Sequence, residues 1–142
     1  MISGALRARL RTPPFLWGPV VLVMAAIFIA SSIPDLGALP GGMSDKSGHG
    51  IGYAVLGGTL LRALAGGTLR GVTWGRGAAA IGLAVLYGIS DEFHQSFVPG
   101  RSPDAIDIAA DAAGAAIAVA AGIAARAWVI LRFPPSRGES HP

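Results

Sequence analysis

The 142-residue chain contains no cysteine, and only 13% of its residues are charged. The absence of cysteine excludes disulfide bonds, thiolate catalysis and thiolate metal sites. Soluble domains carry about 25% charged residues. The shortage of charge, together with a mean hydropathy of +0.57, is therefore typical of a membrane protein. The basic side chains are scattered at the ends of apolar runs, which argues against a nucleic-acid-binding surface.

Four long apolar runs dominate the sequence, at residues 15–30, 44–65, 77–97 and 103–132. Runs of this length can cross a hydrocarbon core about 30 Å thick as helices, so we predict an all-α bundle of four transmembrane helices. The first run could also be the core of a cleaved signal peptide, but it is longer than usual and three more runs follow. We therefore expect a basic N-terminus at 1–14, a membrane domain at 15–132 and a disordered tail at 133–142.

The distribution of lysine and arginine predicts the orientation of the bundle. Nine arginines lie before the first run, around the loop between the second and third, or after the fourth: Arg7, Arg9, Arg11, Arg62, Arg70, Arg76, Arg126, Arg132 and Arg137. The opposite side holds only Lys46 and Arg101 in the expected topology. Both termini should therefore face the cytoplasm.

Turn and packing signals define the ends and contacts of these helices. Pro99-Gly100 suits the centre of a type II turn, and Ser102 with Pro103 predicts the N-cap and first residue of the fourth helix. Ser44 is expected to cap the second helix. Small residues allow close helix packing in lipid, and the sequence offers them as Gly48-x-x-x-Gly52 in the second helix and an Ala/Gly-rich stretch, 110–122, in the fourth.

Polar residues recur with helical spacing near the predicted outer ends of three helices. The stripes are Asp45, His49 and Tyr53; Tyr87, Asp91, His94 and Gln95; and Asp104, Asp107, Asp111 and Gly114. His49, Asp91 and Asp111 should lie about 6–10 Å below those ends. Because ionisable groups are unfavourable against lipid, at about 2.5–3.5 kcal/mol each, they should turn inward to form one outward-opening pocket.

Six carboxylates in this region, with Glu92 included, face only two basic side chains, so the negative charge needs compensation. One interpretation is a divalent metal such as Zn²⁺ or Mn²⁺, with Asp91, His94, Asp107 and Asp111 as candidate ligands. A second is acid/base catalysis by Asp91, Glu92, His49 and Asp45. A third is a proton or ion pathway, and a fourth is a purely structural hydrogen-bond network.

The stretches SDKSGHGIGYAVLG and YGISDEFHQSFVPGRSPDAIDIAADAAGA resemble the VanZ-like family, named for an accessory protein of teicoplanin resistance. That family's pattern contains D-K-x-x-H followed by Tyr, then D-E-x-x-Q, P-G-R and D-x-x-x-N-x-x-G. The matching residues are Asp45, Lys46, His49, Tyr53, Asp91, Glu92, Gln95, Pro99, Gly100, Arg101, Asp107 and Gly114. Asp111 replaces the usual Asn, and Gly50 stands where an aromatic residue is frequent.

The resemblance implies a small multi-pass protein of the bacterial cytoplasmic membrane, linked to the cell envelope or to antibiotic resistance. We expect its pocket to bind or process an envelope lipid, such as a polyprenyl phosphate, or a cell-wall precursor headgroup, and to contribute to glycopeptide resistance. The expected substrate-binding residues are Arg101, Lys46, Tyr53 and Gln95. The alternative function is a non-enzymatic membrane scaffold whose polar cluster is structural.

Overall fold

The computed structural model describes residues 8, 11–34 and 45–134, apart from the side chain of Asp45. These residues form four α-helices and no strand: α1 (Pro13–Ser31), α2 (Asp45–Leu64), α3 (Trp74–Gln95) and α4 (Ala105–Arg132), with a 3₁₀ turn at Leu69–Gly71. The all-α class is confirmed, and each predicted run corresponds to one helix. Arg7, Arg9, Ser44, Arg137 and most of the predicted tail lie outside the described residues.

Helix α2 is central, because it contacts each of the other three helices, and its most extensive contact is with α4. Glycine makes this contact close. A Cβ on Gly57 would lie 2.8 Å from Ala115 Cα, and a Cβ on Gly114 would clash with the Gly50 carbonyl oxygen. The predicted pair Gly48 and Gly52 does not form this seam, because Gly52 faces α1 and Gly48 lines a cavity.

Small side chains fill much of the interior, and many large apolar side chains face outward. Ala80, Ala84 and Ala115 are fully buried beside Tyr53 and Leu56. The exposed residues include Val21, Leu22, Ile29, Ile117 and Leu131. Such an apolar outer surface is typical of a lipid-facing bundle, where small residues let helix backbones approach each other.

Two of the helices, α1 and α4, are long and apolar enough to cross a membrane. Only 11% and 17% of their most apolar windows are buried inside the protein, unlike the core helices of soluble proteins. Helices α2 and α3 fall short of the same criterion and carry charged residues, among them Lys46, Arg62, Arg76, Asp91 and Glu92. Their crossing of the membrane stays a prediction.

The connection into α4 contains the predicted turn but a different cap. The Arg101 amide donates to the Val98 carbonyl at 3.1 Å, and Gly100 has φ +80°, which confirms the type II turn. The predicted N-cap Ser102 is wrong, because Asp104 caps the helix and accepts a hydrogen bond from the Ile106 amide at 2.8 Å. A carboxylate at this position also interacts favourably with the positive end of the helix dipole.

Candidate functional site

Two rungs of polar contacts join α2 to α4 at the end of the bundle where α2 begins. Lys46 Nζ lies 2.6 Å from Asp104 Oδ2 and 3.1 Å from Asp107 Oδ1. One helical turn further along, His49 Nδ1 lies 3.1 Å from Asp111 Oδ1. The rungs form because both helices place polar residues at intervals of three or four on the faces that meet. The predicted acidic stripe of α4 therefore faces α2.

Helix α3 supplies three buried polar side chains at the same end of the bundle: Asp91, Glu92 and Gln95. These side chains and the polar side chains of α2 and α4 that contact one another form what is called the polar layer below. Glu92 Oε2 accepts a 2.7 Å hydrogen bond from the backbone amide of Asp104, at the start of α4. Gln95 Nε2 lies 3.3 Å from both Asp91 Oδ2 and Glu92 Oε1. Both carboxylates thus accept a hydrogen bond from Gln95 of the same helix, and Glu92 also accepts one from the start of α4.

Helix α1 completes the site through Ser31, which is buried. Its hydroxyl lies 2.8 Å from Asp91 Oδ2 and the same distance from the Ile27 carbonyl oxygen of its own helix. The polar layer therefore receives side chains from all four helices. Ser31 was not predicted as part of the site, and the one signal for it in the sequence is a hydroxyl at the end of an apolar run.

His94 lies apart from this layer, although it shares α3 with Asp91. Its Nε2 is 2.9 Å from Ser32 Oγ, and its ring stacks on Phe28 with centroids 4.3 Å apart. Of the four side chains predicted as metal ligands, His94 is thus held against α1, and the other three lie in the layer. The metal assignment itself stays a prediction.

Four carboxylates in the layer are buried: Asp91, Glu92, Asp107 and Asp111, each at most 5% exposed. Lys46 is engaged at the rim by Asp104 and Asp107. Among the described residues, His49 is the one basic side chain that lies within 4.0 Å of the carboxylates of Glu92 and Asp111. The interior of the site therefore keeps an excess of negative charge if these groups are ionised.

Several buried polar atoms of this layer have no hydrogen-bond partner within the described part of the chain: Asp91 Oδ1, Asp111 Oδ2 and Tyr53 Oη. Buried polar atoms normally have hydrogen-bond partners. A buried atom that lacks one commonly indicates an additional ion, water or ligand. Asp111 Oδ2 lies against α3 at Gly88, where a Cβ would be 2.6 Å from it. Only glycine allows α3 to approach this carboxylate so closely.

Outside the buried layer, Asp104 shows the electrostatic effect of its neighbours. The pKa of its carboxyl lies below its ordinary value because Lys46 donates to the ionised form, with a further contribution from the Ile106 amide. Asp104 and Lys46 thus form a charged rim above the buried carboxylates.

A cavity of about 420 Å³ opens between α1, α2 and α3 beside this layer. Its walls are apolar along most of their length and include Val23, Ala26, Ile27, Ala30, Gly52 and Val55. The polar part of its lining consists of Ser31, His49, Tyr53, Asp91, Gln95 and Arg101. The cavity therefore offers apolar walls that lead to a polar end.

Most of the residues predicted to act together do meet at this end of the bundle. Arg101 lines the cavity, and its Nε lies 3.4 Å from the Ile33 carbonyl oxygen. Lys46 lies at the rim, and Tyr53 is buried with its ring 6.3 Å from that of His49. The backbone of Asp45 begins α2, and its side chain is outside the described residues.

His49, Asp91 and Glu92 offer one ligand atom each, all within 4.8 Å of one another. All three residues were predicted as catalytic, and Asp91 was also predicted as a metal ligand. An imidazole nitrogen and two carboxylate oxygens can bind a divalent cation or transfer protons. The arrangement thus allows either chemistry at the polar end of the cavity.

Comparison with known proteins gave one finding. A family model described as VanZ/LLP1 matches residues 46–126, which is more than half of the chain. No curated protein and no solved structure matches the chain. The matched segment runs from Lys46 to Arg126 and contains the polar layer described above, apart from Ser31. Together with the two apolar helices, this match indicates a membrane location, and the chain belongs to the VanZ/LLP1 family.

Proposed function

We propose that the protein crosses the bacterial cytoplasmic membrane four times, with both termini inside and the polar layer toward the outer face. The apolar surfaces of α1 and α4 support this topology. Helices α2 and α3 pack with them and are also long enough, at 20 and 22 residues, to span the hydrocarbon core. Among the arginines of the described residues, Arg62, Arg70 and Arg76 lie at the opposite end from the polar layer.

We propose further that the cavity binds an envelope lipid, with acyl or prenyl chains against its apolar walls and the headgroup at its polar end. The observation that carries this proposal is the division of one cavity into a long apolar part and a cluster of ionisable and hydrogen-bonding groups. Ligand sites are commonly apolar with a few convergent polar groups. The two-part lining fits an amphiphile better than a small soluble metabolite.

Arg101 is the residue proposed to bind a phosphate in this headgroup, because a guanidinium donates two parallel hydrogen bonds to phosphate oxygens. Polyprenyl phosphates carry such a group on an apolar chain. We propose that binding of this lipid class affects the supply or display of cell-wall precursors, which would connect the protein with glycopeptide and teicoplanin resistance.

The test is the affinity of the purified chain for undecaprenyl phosphate in buffer containing divalent cations. We expect Arg101→Ala to weaken binding by about tenfold to a hundredfold, since hydrogen bonds to charged groups contribute about 1.5–3 kcal/mol. Arg70→Ala is the control, because Arg70 is exposed at the opposite end of the bundle. Equal affinity of the wild type and Arg101→Ala would contradict the proposal.

A second candidate function is a non-enzymatic scaffold, favoured by the way the polar layer links all four helices. Ser31, His49, Asp91 and Asp104 each contribute a contact between helices or helix ends. In this account Asp91→Asn reduces the amount of folded protein, and any loss of cellular function follows the loss of abundance. Normal abundance without function would exclude it.

A further inference from the structure

We infer that His49, Asp91 and Glu92 bind one divalent cation at the polar end of the cavity. This inference rests on the proposed lipid-binding function and specifies how that site neutralises a phosphorylated headgroup. The cation would lie between the two carboxylates of α3 and the imidazole of α2, where the ligand atoms are within 4.8 Å of one another.

The orientation of His49 supports this site. An ionised Asp111 can only accept a hydrogen bond, so Nδ1 of a neutral His49 donates to it across 3.1 Å. The lone pair of that ring then lies on Nε2, 4.0 Å from Glu92 Oε1. A carboxylate that holds one imidazole nitrogen while the other faces a cation is the usual arrangement of metal-binding histidines.

The second, independent observation is the unpartnered oxygen of Asp91. This residue is only 3% exposed, and within the described part of the chain its Oδ1 has no hydrogen-bond partner. Its Oδ2 is engaged by Ser31 and Gln95. Glu92 is held similarly, because its Oε2 accepts from the Asp104 amide. Asp91 Oδ1 thus remains for a ligand, and Glu92 Oε1, which Gln95 Nε2 approaches at 3.3 Å, keeps a second lone pair for one.

The donor set indicates the kind of cation. One imidazole nitrogen and two carboxylate oxygens suit Zn²⁺ or Mn²⁺, whereas Mg²⁺ and Ca²⁺ sites are built mainly from oxygen. A divalent ion would also balance the charges of Asp91 and Glu92. Three protein ligands leave at least one coordination position open. His49 and Asp91 both line the cavity, so a phosphate oxygen of a bound lipid could fill the open position near Arg101.

The experiment is a Mn²⁺ titration of the purified, EDTA-stripped full-length chain in detergent, followed by the electron paramagnetic resonance of free Mn²⁺ and then by competition with Zn²⁺. We expect one Mn²⁺ per chain, displaced by Zn²⁺. His49→Gln should raise the Kd by about 100-fold, and Asp111→Ala by about 10-fold to 100-fold, because it removes the acceptor that orients the His49 ring. His94→Gln should leave the Kd unchanged, because His94 packs against Phe28 instead.

Absence of stoichiometric binding, or an unchanged Kd in His49→Gln, would overturn the inference. If His49→Gln does not fold, pulsed spectroscopy of Mn²⁺ bound to the wild type decides instead, because a coordinated imidazole nitrogen gives a characteristic coupling. Its absence would also overturn the inference.

Repeating the undecaprenyl phosphate measurement in EDTA and in Mn²⁺ separates this inference from the proposed function. We expect lipid binding to be at least tenfold tighter with Mn²⁺. Cation binding without lipid binding would refute the proposed function and leave the cation site intact. Lipid binding that is equal in EDTA and Mn²⁺, in a chain that binds no Mn²⁺, would refute the cation site alone.

Discussion

Gly88 lies directly against Asp111, so that a Cβ at position 88 would be 2.6 Å from the Asp111 carboxylate oxygen Oδ2. This contact brings α3 close to α4 at the depth where His49 contacts Asp111. The position of α3, and therefore of Asp91 and Glu92, depends on the absence of a side chain at residue 88.

Gly88→Ala should destabilise the protein by about 1–3 kcal/mol, because the added methyl group must displace a buried carboxylate or the α3 backbone. The matched control is Gly82→Ala on the same helix, where nothing lies within 4 Å of the added Cβ. That change should stabilise the helix by about 0.5–1 kcal/mol. Thermal midpoints in detergent measure both effects, and a Gly88→Ala midpoint at or above that of Gly82→Ala would contradict this packing.

Ser31→Ala should cost about 1–3 kcal/mol, because it removes a hydrogen bond to the buried carboxylate of Asp91. Ser90→Ala is the control, since the Ser90 hydroxyl is exposed and donates within its own helix to Tyr87. That change should alter stability by less than about 0.5 kcal/mol. Equal effects of the two substitutions on the thermal midpoint would show that the contact between α1 and α3 contributes nothing.

The Asp104 carboxylate should stabilise the protein in a pH-dependent way. Its pKa in the folded protein lies below the ordinary 3.8, mainly because Lys46 donates to it. The folded state therefore favours the ionised form, so this stabilisation is complete above about pH 5 and is lost as the pH falls below about 4. The difference in thermal midpoint between wild type and Asp104→Asn should accordingly shrink as the pH falls, and it should also shrink in high salt because the pair is exposed. A difference that stays constant down to pH 3 would be inconsistent with this pair.

The absence of cysteine allows the proposed topology to be measured with single-cysteine variants. Ser102→Cys and Gly75→Cys lie at opposite ends of the bundle, and both positions are exposed. In intact cells a membrane-impermeant maleimide should label Ser102→Cys, whereas Gly75→Cys should react only after the membrane is permeabilised. The reverse pattern would place the polar layer in the cytoplasm.

Apolar run length and helical spacing were enough to predict the four helices and most of the polar layer. His49, Asp91, Glu92, Asp107 and Asp111 meet because buried ionisable groups on neighbouring helices must turn toward one another. The type II turn at Pro99-Gly100 was also predictable, because its conformation is a property of two adjacent residues.

Contacts between helices that depend on rotation or offset were not predictable from spacing. His94 has suitable spacing from Asp91 but faces Phe28 of α1. Three residues are slightly less than one helical turn, so the side chains of Asp91 and His94 point in different directions from α3. Ser31 contacts a residue 60 positions later, and no local pattern encodes that pairing. Ser102 was predicted as the cap of α4, but Asp104 is the cap. Its side chain offers the helix an oxygen that accepts a hydrogen bond and also a negative charge.

The central claim is that the cavity holds a phosphorylated lipid, and native mass spectrometry of gently extracted protein tests it most directly. The wild type should retain a phosphorylated lipid, whereas Ala26→Phe should not, because residue 26 lines the apolar wall. Ala25→Phe, on an exposed part of α1 away from that wall, should retain the lipid as the wild type does. Loss of lipid in Ala26→Phe alone would support the account; a wild type that carries no lipid, or equal retention in all three proteins, would contradict it.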